Sequence, residues 1–165
     1  MPAQLSWGRL VVSLVAAAYF AYYASTAHDW HFIDNVNLII HEAGHLIFIP
    51  LGEFMRILGG SLLQIVMPIA FVAYFYLQQQ YFSASLVAFW VGQNLINVSV
   101  YAADARWMEL PLLGGDADTH DWNQILSLLH ALDAAPQVGA ALFVAGLLVL
   151  CAATIAAIHF SRTEQ

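Results

Sequence analysis

The segment from residue 38 to residue 49 reads LIIHEAGHLIFI and places three ionisable side chains, those of His41, Glu42 and His45, inside an apolar run. The run predicts a helix in hydrocarbon, where burying a polar or ionised group costs free energy. Residues four positions apart share one face of a helix, so both imidazoles can reach one metal ion. The segment therefore predicts a membrane helix whose polar side chains have a chemical role.

The whole chain is strongly apolar. Of its 165 residues, 61% are hydrophobic and 9% are charged, and the mean hydropathy is +0.71. Soluble domains carry about 25% charged residues, whereas a helix that crosses a bilayer needs roughly 20 mainly apolar ones. We therefore expect an all-α protein, a polytopic transmembrane helix bundle that forms a single domain over residues 1–165 and contacts membrane lipid.

The charge balance excludes some partners. The net charge is −7, with 11 acidic and only four basic residues. Proteins that bind nucleic acid need clustered Lys and Arg, so we expect no nucleic-acid partner. The single cysteine, Cys151, lies in an apolar stretch and excludes a disulfide within the chain.

Apolar runs predict about five membrane spans. Their approximate bounds are 10–27, 32–50, 62–77, 84–103 and 138–160. The second span carries the H-E-x-x-H motif. Residues 104–136 form an acidic loop before the last span, and a short amphipathic helix is expected in this loop from Asp121 onward.

The arginines predict an orientation. With five spans and a cytoplasmic N-terminus, Arg9, Arg56 and Arg106 all lie on the cytoplasmic side and only Arg162 lies outside, as the positive-inside rule favours. We therefore expect a multi-pass integral membrane protein with a cytoplasmic N-terminus and a cytoplasmic acidic loop. Residues 28–34, which precede the second span, would then form an interfacial segment on the opposite face.

The H-E-x-x-H spacing predicts a zinc site with Glu42 as general base. A catalytic zinc has three protein ligands and one open position, so His41 and His45 need a third ligand. Asp104 follows a polar stripe on the fourth span, and His120 lies in the acidic loop on the same predicted side. Both ligand types suit zinc, so the sequence leaves the two alternatives open, and the other residue could orient a histidine.

Amide side chains also interrupt the apolar spans. Asn94 and Asn97 on the fourth span are candidates for binding an extended substrate backbone, although interhelical hydrogen bonding is the common role of Asn in membranes. On the third span, Pro68 frees a backbone carbonyl, and Gln64 is expected to satisfy a neighbouring polar group.

The His-Glu-Ala-Gly-His motif of residues 41–45 on a transmembrane helix resembles the site-2 protease family of intramembrane zinc metalloproteases. The resemblance implies that the two histidines bind zinc and that Glu42 activates water. It also implies that Asp104 matches the aspartate that a later span supplies in an N-x-x-P-x-P-x-L-D-G pattern, with Asn97 as its asparagine. The stretch between Asn97 and Asp104 has no proline, and its spacing is one residue shorter, which indicates a compact, divergent relative.

Together these features predict a zinc-dependent intramembrane hydrolase, a peptidase that cleaves transmembrane or membrane-adjacent peptide segments. A zinc-dependent lipid or amide hydrolase is the alternative enzyme, because metal-activated water also attacks acyl amides and esters. A non-enzymatic accessory subunit of a larger membrane complex is the third reading, and a homo-oligomer is compatible with each. The shape of the site and the number of protein ligands discriminate between these readings.

Overall fold

The computed structural model describes residues 4–110 and 120–163, and the described residues form an all-helical bundle, as the composition predicts. The described residues contain six α-helices: α1 (Trp7–Ser25), α2 (Phe32–Phe48), α3 (Glu53–Leu77), α4 (Tyr81–Asp104), α5 (Asp121–Leu128) and α6 (Ala135–His159). Two short 3-10 turns, Ile49–Leu51 and Leu132–Ala134, precede α3 and α6, and two-residue strands β1 (Gln4–Leu5) and β2 (Arg162–Thr163) pair near the chain ends. Residues 111–119 of the predicted acidic loop lie outside the described part, and the amphipathic helix expected after them is α5.

Within residues 4–110 and 120–163, four helical segments are long and apolar enough to cross a membrane, by length and composition. They are Trp7–Ser25, Glu53–Leu77, Tyr81–Asp104 and Leu132–His159. These segments correspond to the first, third, fourth and fifth predicted spans. Large apolar side chains such as Leu77 and Ile155 lie exposed on their outer faces, which suits contact with lipid. The backbone polar groups of a helix are hydrogen-bonded within the helix, so they too tolerate a lipid environment.

The second predicted span, helix α2, is not among these four candidate segments. Helix α2 has 17 residues and begins beside the middle of α4, where Asp34 accepts hydrogen bonds from Gln93 and Asn97. It ends beside the first turns of α3, where Phe48 packs against Gly59. Helix α2 therefore extends from beside the middle of α4 to the end of the bundle where α3 begins. Four of the about five predicted spans are thus candidate spans, and α2 falls short because its 17 residues are fewer than the roughly 20 that a crossing helix needs.

Both ends of the described chain lie at one end of the bundle. Strand β1 pairs with β2, and the guanidinium of Arg9 lies 5.1 Å from the ring centroid of Phe82, near the start of α4. Arg56 and Arg106 lie at the other end, where α3 begins and α4 ends. The predicted grouping of Arg9 with Arg56 and Arg106 is therefore wrong. With Arg162 beside Arg9, each end carries two arginines, so the positive-inside rule favours neither orientation.

Close backbone contact at glycines holds the bundle together. A Cβ added at Gly44 would overlap the backbone of Gly59 on α3, and a Cβ added at Gly92 would lie 3.0 Å from the carbonyl oxygen of Gly146 on α6. Small residues at such crossings are typical of membrane helix pairs, because packing and not hydrophobic exclusion drives their association. The close contact of Gly44 with Gly59 packs the part of α2 that carries the H-E-x-x-H motif directly against α3.

A Gly44→Ala substitution is expected to destabilise the protein by about 1–3 kcal/mol, the usual cost of overpacking a close contact. The new methyl group would meet backbone atoms of Gly59, which cannot rotate away. Thermal unfolding in detergent measures the effect, with Gly8→Ala as the matched control, since nothing lies within 4 Å of a Cβ at Gly8. A Gly44→Ala variant that unfolds at the temperature of the control would contradict this packing of α2 on α3.

Candidate metal centre

The motif residues of α2 form a compact group. The ring centroids of His41 and His45 are 4.9 Å apart, and with Glu42 they offer ligand atoms that all lie within 4.8 Å of one another. His41 is only 8% exposed, whereas Glu42 is exposed and lines a cavity. The i, i+4 spacing therefore brings both imidazoles to one point, as the sequence predicts.

The carboxylate of Asp121, which was not predicted from the sequence as a ligand, lies against both imidazoles of this group. The Oδ2 atom of Asp121 lies 2.9 Å from Nε2 of His41 and 3.2 Å from Nε2 of His45. Asp121 is the first residue of α5, and its backbone N–H donates a 2.9 Å hydrogen bond to the hydroxyl of Tyr101 on α4. Trp122 continues this anchoring by donating to the hydroxyl of Ser61 on α3. Contacts with two long helices therefore fix the position of Asp121.

The hydrogen bonds of the two imidazoles determine which nitrogen faces Asp121. Nδ1 of His41 lies 3.2 Å from Oε1 of Gln64, and Nδ1 of His45 lies 2.8 Å from the backbone oxygen of Arg56. Both partners are acceptors, so each Nδ1 carries a proton. The two Nε2 atoms then face one carboxylate oxygen of Asp121. Such a contact needs a proton on each Nε2 atom, or a metal ion between them and the carboxylate.

The donor set fits zinc. Two imidazole nitrogens and one carboxylate oxygen are a common ligand set for catalytic zinc. Atoms bound tetrahedrally at about 2.0–2.1 Å from one zinc ion lie about 3.3 Å apart, close to the 2.9 Å and 3.2 Å separations of Asp121 from the two histidines. The group can therefore gather around one ion with little movement.

The charge state of Asp121 also suits a metal ligand. Burial raises the pKa of Asp121, but the neighbouring imidazoles of His41 and His45 outweigh burial and hold this pKa below its ordinary value. The carboxyl group is thus ionised at neutral pH, which is the form that binds metal.

The two residues proposed from the sequence as third ligand are instead paired with each other. Nε2 of His120 lies 3.3 Å from Oδ2 of Asp104, and Asp104 also accepts the backbone N–H groups of residues 109–110. Nδ1 of His120 accepts the backbone N–H of Asn123 and so caps α5. Burial, the largest influence, lowers the pKa of His120 despite the opposing effect of Asp104. Their contacts position α5, and the adjacent Asp121 reaches the motif.

Of the two amides proposed to bind substrate, the structure brings only one to the site. Asn97 lines the cavity, donates to Asp34 and accepts from Gln64. Asn94 is fully buried, and its Nδ2 donates to the backbone oxygen of Trp90. Its Oδ1 has no hydrogen-bond partner among the residues that the structure describes. Gln64 satisfies polar neighbours, as its sequence context predicts.

A cavity of about 940 Å³ lies beside the group. Its walls include Trp30, Leu38, Glu42, Asn97, Tyr101 and Asp121. The connection from α1 to α2 also contributes through residues 28–30. The expectation that residues 28–34 lie on the face opposite the motif is therefore wrong, because α2 does not carry the chain across the bundle between these residues and His45.

No protein-family model matches the chain, and no curated protein or solved structure is significantly similar to it. The residues themselves therefore have to support any assignment. They form a helical protein with four candidate membrane spans and an H-E-x-x-H group that suits a metal ion.

Proposed function

We propose that this protein is a zinc-dependent intramembrane hydrolase, a peptidase acting on transmembrane or membrane-adjacent peptide segments. The observation that carries this proposal is the convergence of Nε2 of His41, Nε2 of His45 and Oδ2 of Asp121 beside the exposed carboxylate of Glu42. Three ligands leave a fourth position open, as catalytic zinc sites require. The likeness of residues 41–45 to the site-2 protease motif supports the same function, with Asp121 in place of Asp104 as the third ligand.

Each residue of the group has a role in this reaction. Zinc bound here would supply Lewis acidity that activates water and polarises the scissile carbonyl. Glu42 accepts the proton of the attacking water and delivers it to the leaving amine. The exposure of Glu42 to the cavity gives water and substrate access to its carboxylate.

The place of the group in the bundle supports a substrate within or beside the membrane. His41 contacts Gln64, which lies about 16 Å along α3 from its first residue at 1.5 Å per residue. The cavity of about 940 Å³ is near the upper end of the roughly 300–1,000 Å³ typical of small-molecule sites, which favours a peptide segment as occupant. We propose that membrane lipid surrounds the four candidate spans.

Metal analysis tests the first half of the proposal. We expect about one zinc ion per chain in detergent-purified wild type, and none in His41→Ala, because two remaining ligands hold zinc poorly. His159→Ala is the matched control, since this histidine lies at the far end of α6 and should leave the zinc content unchanged. Zinc-free wild type, prepared without chelators and with zinc in the growth medium, would contradict the proposal.

Hydrolysis assays test the second half. Protein reconstituted in liposomes is expected to cleave single-span peptides, to lose this activity with a chelator and to regain it with added zinc. A phospholipid and a fatty-acyl amide serve as comparison substrates. Cleavage of these alone would make the protein a lipid or amide hydrolase, and zinc binding without any hydrolysis would favour the accessory-subunit reading.

A further inference from the structure

A buried carboxylate lies near the start of α2, apart from the group formed by His41, Glu42 and His45. Asp34 is only 2% exposed. Its Oδ1 accepts hydrogen bonds from the hydroxyl of Tyr23 at 2.9 Å, Nε2 of Gln93 at 3.0 Å and Nδ2 of Asn97 at 3.1 Å. Its Oδ2 accepts the backbone N–H of His31 at 2.8 Å. All four partners donate, which suits an ionised carboxylate that only accepts.

The carboxylate of Asp34 fixes the orientation of two side-chain amides, first that of Asn97 and through it that of Gln64. Because Asn97 turns its NH2 group toward Asp34, its Oδ1 faces α3 and accepts Nε2 of Gln64 at 2.7 Å. An amide donates through nitrogen and accepts through oxygen. Gln64 therefore presents Oε1 on its other side, 3.2 Å from Nδ1 of His41.

The last residue of this chain of hydrogen bonds is His41, and the chain determines which of its ring nitrogens carries the proton. Oε1 of Gln64 can only accept, so Nδ1 of His41 carries a proton, and Nε2, which lies 2.9 Å from Oδ2 of Asp121, is the nitrogen left to bind a metal ion. We propose that Asp34 is a positioning residue that acts through Asn97 and Gln64 to hold His41 in its metal-binding tautomer. The role in metal binding rests on the proposed function, whereas the effect on the Nδ1 proton does not.

The second histidine is held differently. Nδ1 of His45 donates to the backbone oxygen of Arg56, which no side-chain substitution in the Asp34 chain removes. The inference therefore predicts an asymmetric response, in which breaking the chain disturbs His41 and leaves His45 unchanged. A general loosening of the fold would disturb both histidines.

Zinc affinity, measured by competition with a chelator, tests the chain. We expect Asp34→Asn and Gln64→Met each to weaken zinc binding about 10- to 100-fold, the usual range for partners that orient a ligand. The double variant should bind zinc no more weakly than Gln64→Met, since a chain already broken next to His41 loses nothing more at Asp34. Full additivity of the two losses would overturn the inference.

A matched control separates positioning from stability. Asn37 is also buried in α2 and hydrogen-bonds to Gln93 and Trp90, but it lies off the path to His41. Asn37→Leu should lower the unfolding temperature as much as the chain variants while keeping the wild-type zinc affinity. An equal loss of zinc affinity in Asn37→Leu would assign the effect to destabilisation and overturn the inference.

Nitrogen-15 NMR of histidine-labelled, metal-free protein gives a readout that does not depend on zinc. At mildly alkaline pH, we expect a protonated Nδ1 at His41 in wild type and in Asn37→Leu. The fraction of molecules in which Nδ1 of His41 is protonated should fall in Asp34→Asn and Gln64→Met, whereas the His45 signals should not change. An unprotonated Nδ1 in wild type, or a wild-type spectrum in both Asp34→Asn and Gln64→Met, would overturn the inference.

The two tests distinguish this inference from the proposed function. A wild type that binds no zinc but shows the expected dependence of the Nδ1 proton on Asp34 would support the inference while the proposed function fails. A wild type that binds zinc through the motif, with chain variants that match it in affinity and in NMR, would leave the proposed function standing and overturn the inference alone.

Discussion

Turnover is expected to fall about 100- to 10,000-fold in Glu42→Gln, the usual contribution of a general base, while the zinc content stays at the wild-type level. The amide of glutamine is close in shape to the carboxylate but cannot accept the proton of the attacking water. Glu42 is exposed to the cavity, so the substitution leaves the packing of α2 intact. Initial rates with a single-span peptide in liposomes, together with metal analysis of the same samples, measure both effects.

Glu109→Gln is the matched control for this experiment. Glu109 is also exposed at the same end of the bundle, and its only described hydrogen bond is made by its backbone N–H. Its substitution should leave the rate unchanged. Turnover at the wild-type rate in Glu42→Gln would remove Glu42 from the mechanism, and a loss of zinc in that variant would make Glu42 a ligand instead of a base.

Asp121→Ala is expected to weaken zinc binding by more than about 100-fold, beyond the range for residues that only orient a ligand, and to abolish turnover. The substitution removes the carboxylate that lies within 3.2 Å of both histidine Nε2 atoms. It leaves two ligands, one fewer than catalytic zinc sites use. Chelator competition and metal analysis measure the loss.

Three other variants test whether the loss of zinc binding is specific to Asp121. Asp133→Ala removes an exposed acid that pairs with Arg106 and should bind zinc as wild type does. Asp104→Ala and His120→Ala remove contacts that hold the start of α5, so we expect losses smaller than that of Asp121→Ala. Zinc retained in Asp121→Ala but lost in either of these two variants would restore the ligand choice suggested by the sequence.

Much of the bundle could be predicted from the sequence because its signals are local. A run of apolar residues predicts a helix wherever the bilayer or a core buries it, and α1, α3, α4 and α6 lie where such runs are found. The i, i+4 spacing of His41 and His45 predicts their shared face with no knowledge of the rest of the fold. The exposed position of Glu42 beside them is consistent with the same local geometry.

The course of α2 could not be predicted in this way. Its apolar residues read as a span, but the buried carboxylate of Asp34 is satisfied by amides halfway along α4. These hydrogen bonds join segments about 60 residues apart in the chain. They place residues 28–30 at the cavity instead of at the opposite face of the bundle. The direction of a polar helix in a bundle depends on where its partners lie.

The sequence by itself determined the helical class, the apolar spans and the paired histidines, because each follows from periodicity along one helix. Only the tertiary structure decided that Asp121 reaches them while Asp104 and His120 bind each other. Neighbouring residues at the start of a helix point about 100° apart, so one residue of difference selects the ligand. The contact of Tyr101 with the backbone of Asp121 sets that direction, and this contact joins two helices whose relative position no local pattern encodes.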